Sequence, residues 1–310
     1  MTRFKFTDYS LIFVVIFSFL VVFACNSSNK NDNTNKVKEK QLLDDVYEED
    51  TKDNNKIERI FYNIPSPIEM AHLTQKAGVR YNSSLLNSTN NVGNYSTTIN
   101  LALNLGVYGA DLSYCRLYDQ IQQSIDYLSV IRTIIEELKI PQEKASISIN
   151  KLENNVNNRD TLLQIISDTY GNADLYLKEN DRESTAALIV LGGWIEALYI
   201  STHMLDENNP NHEIMCRIAE QKYSLNNLMK LLTSLNDKRI KDFLSVMMPN
   251  LKNLDLEFNK IKITRGKCEV LTDKKTKKTS INSNMTIDVS YKQINDIKKQ
   301  ATIIRNLIIK

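Results

Sequence analysis

Residues 99–138 read INLALNLGVYGADLSYCRLYDQIQQSIDYLSVIRTIIEEL. Apolar side chains return at Ile99, Leu101, Ala102, Leu105, Leu112 and Leu117, then at Ile121, Ile125, Leu128, Ile131, Ile135 and Leu138. That spacing puts them on one face of a helix, whereas a half-buried strand would alternate apolar and polar residues. The pattern predicts helices over 97–119 and 121–139, and leaves open whether the two run on as one.

The same reading extends in both directions. Upstream, Ser66, Pro67 and Glu69 supply an N-cap, a first-turn proline and a carboxylate at N3, and Gly78 supplies a stop. A helix over 67–77 is expected between them. An Asn- and Ser-rich loop follows to about Tyr95. Downstream, Pro141 opens a short helix to about Asn150, and further helices are expected over 160–179, 182–205, 211–235, 238–247 and 250–260. Asn180-Asp181 and Asn209-Pro210 serve as boundary signals. The pattern then changes to β-compatible pieces over 261–264, 269–272 and 280–288, read as a hairpin within about 261–289. Ser290 and Gln293 form a second capping box that opens a last amphipathic helix over 290–309, with Ile294, Ile297, Ala301, Ile304 and Ile308 on its stripe. With 8 Gly and 5 Pro in 310 residues, the expected fold is mainly α: a multi-helix bundle with a small C-terminal β-hairpin and a final amphipathic helix.

The N-terminus reads differently. Arg3 and Lys5 precede an apolar run over 11–23, which stops at Ala24-Cys25. A basic head, a short apolar segment and a small residue before the cut are the parts of a secretory signal, and the run is shorter than the ~20 residues of a spanning helix. Residues 1–24 are therefore expected to be a lipoprotein signal peptide, and Cys25 the lipidated mature N-terminus. Val22-Phe23-Ala24-Cys25 is similar to the bacterial lipobox, with Phe23 larger than the usual residue there. Residues 25–55 follow as a polar tether, too poor in apolar side chains to offset the entropy of ordering. A flexible chain of that length spans about 30 Å. The folded domain is expected over 56–310.

Bulk charge excludes one class of partner. The chain has 39 Lys and Arg against 37 Asp and Glu, and a net charge of +2 lacks the electrostatic footprint of a nucleic-acid binder. Basic residues gather in the hairpin at Arg265, Lys267, Lys274, Lys275, Lys277 and Lys278, either as a solvated turn or as a site for anionic envelope polymers or headgroups. Beyond Cys25, the thiols Cys115, Cys216 and Cys268 are odd in number, and the sequence names no pair among them.

The runs Asn104-Leu105-Gly106-Val107-Tyr108-Gly109-Ala110-Asp111-Leu112 and Gly192-Gly193-Trp194-Ile195-Glu196-Ala197-Leu198-Tyr199, with Ile64-Pro65-Ser66-Pro67, resemble an uncharacterised family of helical lipoproteins from Bacteroidota. The resemblance covers most of the chain after about Glu58. It implies lipid anchoring and a helical fold, and carries over no catalytic residue.

Two sets of polar residues stand out beside the glycines of these runs. Tyr108, Asp111, Tyr114 and Tyr118 share one helix face, and Glu196, Tyr199 and His203 share another, with Trp194 nearby. An interior glycine costs ~1 kcal/mol against alanine, so Gly106, Gly109, Gly192 and Gly193 need a compensating role. Close helix packing is one. Room for a ligand is the other, and the candidate ligand-binding residues are then Tyr108, Asp111, Tyr114, Trp194, Glu196, Tyr199 and His203.

Metal ligation finds little support, because Glu69-x-x-His72 is a single motif and His212 with Cys216 form one i, i+4 pair. No Gly-x-Ser-x-Gly elbow, phosphate loop or His-Glu-x-x-His occurs. No metal, cofactor or catalytic residue is expected. The sequence reads as a lipid-anchored, extracytoplasmic helical module of the bacterial cell envelope, with the outer membrane ahead of the inner. Its expected partners are the membrane, through the lipid, and an envelope protein or a small molecule. The alternatives are a small-molecule or sensory lipoprotein with a pocket between the Gly-bearing helices, and a hydrolase using Glu196 or Asp111.

Overall fold

The computed structural model describes residues 79–141, 182–273 and 278–310, with six isolated positions between 155 and 180; residues 265–273 and 278–284 are described by backbone alone. The chain divides into two units, Met1–Asp53 and Asn54–Lys310, and every described residue belongs to the second. The signal peptide, Cys25, the tether and the helix over 67–77 lie outside the described residues. So do the helix over 142–150, nearly all of the helix over 160–179, and the 274–277 turn.

Among the described residues are six α-helices and one hairpin, so the fold is mainly α, as the periodicity predicts. Helix α1 is Thr98–Leu117 and α2 is Ile121–Glu137. Thr97 caps α1 by accepting from the Asn100 N–H. The two helices do not run together, because Asp119 adopts φ 55° and turns the chain. Aspartate is one of the few side chains that visit this left-handed region. Helix α3 is Glu183–His203 and α4 is His212–Ser234, with Asn211 capping α4 at the Ile214 N–H.

Helix α5 is Lys241–Asn259. The sequence predicts two pieces here, split near Pro249, and the structure corrects this to one helix preceded by a single 3-10 turn, Lys238–Ile240. A proline removes one backbone donor. The helix nevertheless continues, with its buried stripe of Met247, Leu251, Leu254 and Phe258 running past the proline on both sides. The Asn250 amide donates to the Val246 carbonyl on the same turn.

The hairpin is longer than its sequence pieces suggest. β1, Lys262–Asp273, pairs antiparallel with β2, Lys278–Asp288, from Lys262 opposite Asp288 to Asp273 opposite Lys278. The register slips between Arg265 and Cys268. Gly266 falls in that slip, where a bulge commonly places glycine. Ile263 and Ile287 pack at the base of the hairpin against the helical core. Helix α6, Tyr291–Ile308, opens with the Ser290–Gln293 capping box and buries Ile294, Ile297, Ala301, Ile304 and Ile308.

Helix α3 forms the centre. It packs on α1, α4 and α6, while α2 lies against α1 and α5 joins α4 to α6. Among the described helices it alone is long and apolar enough to cross a membrane, with mean hydropathy 1.4, but 89% of that window is buried inside the fold. A helix apolar on all sides belongs in the middle of a bundle. The α1–α3 contact is backbone to backbone: a Cβ on Gly106 would stand 2.0 Å from the Ile189 carbonyl oxygen, and one on Gly192 would stand 1.9 Å from that of Leu103. These glycines are the close-packing device, and there is no space for a ligand where they meet.

Candidate functional site

Residues 79–95 form a strap of two 3-10 turns, Ser83–Leu85 and Thr89–Asn94, capped by the side chains of Asn82 and Ser88. Such a segment satisfies few of its own backbone groups, and a buried carbonyl or amide without a partner is costly. Side chains of the bundle supply the partners. The Tyr118 hydroxyl donates to the Val79 carbonyl at 2.8 Å, and the Tyr114 hydroxyl accepts from the Asn82 N–H at 3.0 Å. Asp111 Oδ2 accepts from the Asn87 N–H at 3.1 Å, and the Tyr108 hydroxyl donates to the Ser88 carbonyl at 2.8 Å. The strap numbers rise from 79 to 88 while the α1 partners fall from 118 to 108, so the strap runs antiparallel along one face of α1. From α2, Tyr127 donates to the Asn87 carbonyl at 2.8 Å.

The far side of the strap meets a buried charge cluster. Arg305 of α6 donates through Nε and Nη2 to the two carboxylate oxygens of Glu196, each at 2.7 Å, and Nη2 also donates to the Leu85 carbonyl at 2.9 Å. Its Cζ lies 4.1 Å from the centre of the Tyr199 ring. The His203 ring lies tilted by 37° against the same tyrosine with ring centres 4.0 Å apart, and its Nδ1 contacts the Tyr199 carbonyl at 2.7 Å. Glu196 and Asp111 are both 0% exposed and Arg305 is 6% exposed. A fork of two charge-assisted bonds is the strongest pairing available to a carboxylate.

Burial shifts several of the titratable groups around this cluster. It raises Asp111 well above the ordinary carboxylate range, and the facing Glu196 charge raises it further while Arg305 opposes. It raises Glu196 as well, against the hydrogen bonds and charge of Arg305. Burial works against the Arg305 charge too, yet the Glu196 contact more than offsets it. His203 is pushed down to about 4, chiefly by burial. The Tyr114 phenol and the Cys115 thiol are each pushed up to about 12 by burial.

The residues singled out in the sequence therefore fall into two groups. Tyr108, Asp111 and Tyr114 line the rail that holds the strap, and Glu196, Tyr199 and His203 meet Arg305 beside it. Trp194 stands apart, donating through Nε1 to Gln221 Oε1 of α4 at 3.1 Å. Cys216 Sγ lies 3.5 Å from His212 Nε2 at the surface, and among the described residues no three His, Cys, Asp or Glu side chains are placed to hold a metal ion. A cleft of about 340 Å³ opens at the turn between α3 and α4, lined by Val79, Met204, Leu205, Asp206, Asn209, Asn211 and Ile214. None of the candidate ligand-binding residues lines it.

Arg305, Asn87 and Tyr127 escape sequence reasoning. For Arg305 a signal exists: it sits four residues after Ala301 on the apolar stripe of α6, and a lone cation there asks for a buried acid. Asn87 carries no such mark in the sequence, although its backbone meets Asp111 and Tyr127 and its side-chain amide donates to the Tyr95 hydroxyl and to Asn104 Oδ1. No protein-family model, curated protein or solved structure matches the chain.

Proposed function

We propose that this protein is a helical binding or scaffold module, held at the bacterial cell envelope by a lipid on Cys25 and performing no chemistry of its own. One observation carries the second half of that reading. The acid, phenol and guanidinium groups that would make an active site are each turned onto the chain's own strap or onto one another. A catalytic acid must reach substrate, and Glu196 and Asp111 are enclosed. The Arg3-to-Cys25 pattern supports the first half.

The anchor is tested by growing cells on an alkyne-tagged fatty acid and reading the tag on the protein and on a Cys25→Ser variant. A tag on the parent that the variant lacks, with the variant released into the soluble envelope fraction, is the expected result. An untagged parent, or a tagged variant, removes the anchor from the reading.

A second reading is favoured by the cleft at the α3–α4 turn. Its volume lies at the lower end for small-molecule sites, and Asp206, Asn209 and Asn211 give it polar edges beside Met204, Leu205 and Ile214. Native mass spectrometry of the full chain in detergent decides between the two. A retained small-molecule mass that Ile214→Trp abolishes moves the function to that cleft, and a bare chain mass returns it to protein partners.

A further inference from the structure

Asp111 and Glu196 face each other in the interior between α1 and α3, and among the described residues Arg305 is the cation that acts on both. Neutral phenols surround them, of Tyr81 and Tyr95 from the strap, of Tyr108 from α1 and of Tyr127 from α2, with the Cys115 thiol of α1, all raised by burial, and the buried Arg116 guanidinium lies beside that thiol. Tyr199 lies over Arg305 on α3, and His203 with Lys298 lies beyond it. Two ionised carboxyls would put like charges side by side, with the Arg305 fork already spent on Glu196, in a medium where that is costly.

The hydrogen bonds point the same way. Glu196 spends both oxygens on Arg305. Asp111 spends Oδ2 on the Asn87 N–H, while Oδ1 is buried with no donor from the protein. The two carboxyl groups are also within hydrogen-bonding reach of each other. Ionised carboxylates only accept, so contact between two of them requires a proton on one.

We infer that Asp111 and Glu196 hold one proton in common, carried on Asp111 Oδ1 and donated to the Glu196 carboxylate, and that this proton is the ligand that keeps the 79–95 strap docked. With it, the cluster is a neutral acid beside a closed ion pair. Without it, two anions face each other, and the relief open to Asp111 is to turn toward water. That movement breaks its bond to the Asn87 N–H and lifts the strap from the middle of its rail. The strap is thus latched on the acid side and released on the alkaline side. Burial and the Glu196 charge, which raise Asp111 well above 3.8, set the direction of the window: the latch is complete below the ordinary Asp range and is lost as pH rises through the raised value.

The test uses the full chain in detergent micelles, labelled with carboxyl-¹³C aspartate. Infrared spectra at pH 7 are expected to show an isotope-shifted carboxylic-acid band, and Asp111→Asn to lack it. The asparagine is chosen because its amide donates to Glu196 as the acid does. Hydrogen exchange of the strap amides, corrected for the intrinsic pH dependence, is expected to lose protection in the parent as pH rises and to hold it in Asp111→Asn. A parent with no labelled acid band at pH 7 overturns the inference, as does strap protection that changes with pH alike in both proteins. If the variant does not fold, the parent's band decides alone.

Discussion

Gly106→Ala adds one methyl group at the α1–α3 contact, and the structure says what it meets. The new Cβ would stand 2.0 Å from the Ile189 carbonyl oxygen and 2.5 Å from the Gly193 nitrogen, both backbone atoms that cannot swing aside. Ordinary contact begins at 3.4 Å, so the helices must part locally by roughly 1.4 Å. Overpacking of a closed core costs about 1–3 kcal/mol, after an offset of up to ~1 kcal/mol from the better helix propensity of alanine. At an m-value near 3 kcal/mol/M, that lowers the urea midpoint by roughly 0.3–1 M with m unchanged. Gly192→Ala meets the Leu103 carbonyl at 1.9 Å and should cost about as much. Because the first separation makes room for the second methyl, the double variant should lose clearly less than the sum of the singles. Gly193→Ala is the graded control, with its Cβ 3.2 Å from the Gly106 oxygen, and Gly93→Ala, with nothing within 4 Å, should be neutral or gain about 0.4–1 kcal/mol. Additive losses, or a Gly106→Ala protein as stable as the parent, would refute the claim that backbone contact is what these glycines provide.

Glu196→Gln leaves Arg305 buried without its anion and should cost about 3–5 kcal/mol in denaturant unfolding, whereas Glu196→Gln combined with Arg305→Met should recover part of the loss; a double-variant loss equal to the sum of the two single losses would show that the pair is not coupled. Tyr127→Phe strips the buried Asn87 carbonyl of its donor and should cost about 1–3 kcal/mol, with faster exchange of the strap amides as the local sign. His203 sits near 4 in the fold against 6.5 when free, so the unfolded chain takes up a proton that the fold refuses. The His203 contribution, read as the difference between the parent and His203→Phe, should rise with pH from about 4 to 6.5 and level off above, and a difference that does not change with pH would refute it.

The periodicity of 99–138 carried the helices well, because each has to hide one face and the hiding residues are ordinary Leu and Ile. The Ser290–Gln293 box was legible for the same reason: a helix end has donors that local side chains must satisfy. Pro249 misled because the loss of one bond looks decisive in a sequence, while the stripe of Met247, Leu251, Leu254 and Phe258 that outweighs it is a tertiary matter. The hairpin pieces read short because a strand is recognised by its side chains, and the ladder is made of backbone. At the candidate site, the faces of Tyr108, Asp111, Tyr114 and Tyr118 and of Glu196, Tyr199 and His203 were legible from spacing alone. What they face was not. The strap carries Asn, Ser and Gly with no period, and it is recognised through its carbonyls and amides, which every residue has.

The spacing of the charge cluster along the chain fixes a schedule. Glu196 and Arg305 are 109 residues apart, and Leu85 and Arg305 are 220 apart. At synthesis rates of ~5–20 residues per second, roughly 5–20 s pass after Glu196 is made before its guanidinium exists. Throughout that interval α1 and α3 carry two acids toward a seam that has no cation to receive them, and the strap lacks one of its donors. The seam can close fully only when the last helix is in hand. A chain built this way can complete its core only once α6 has been made.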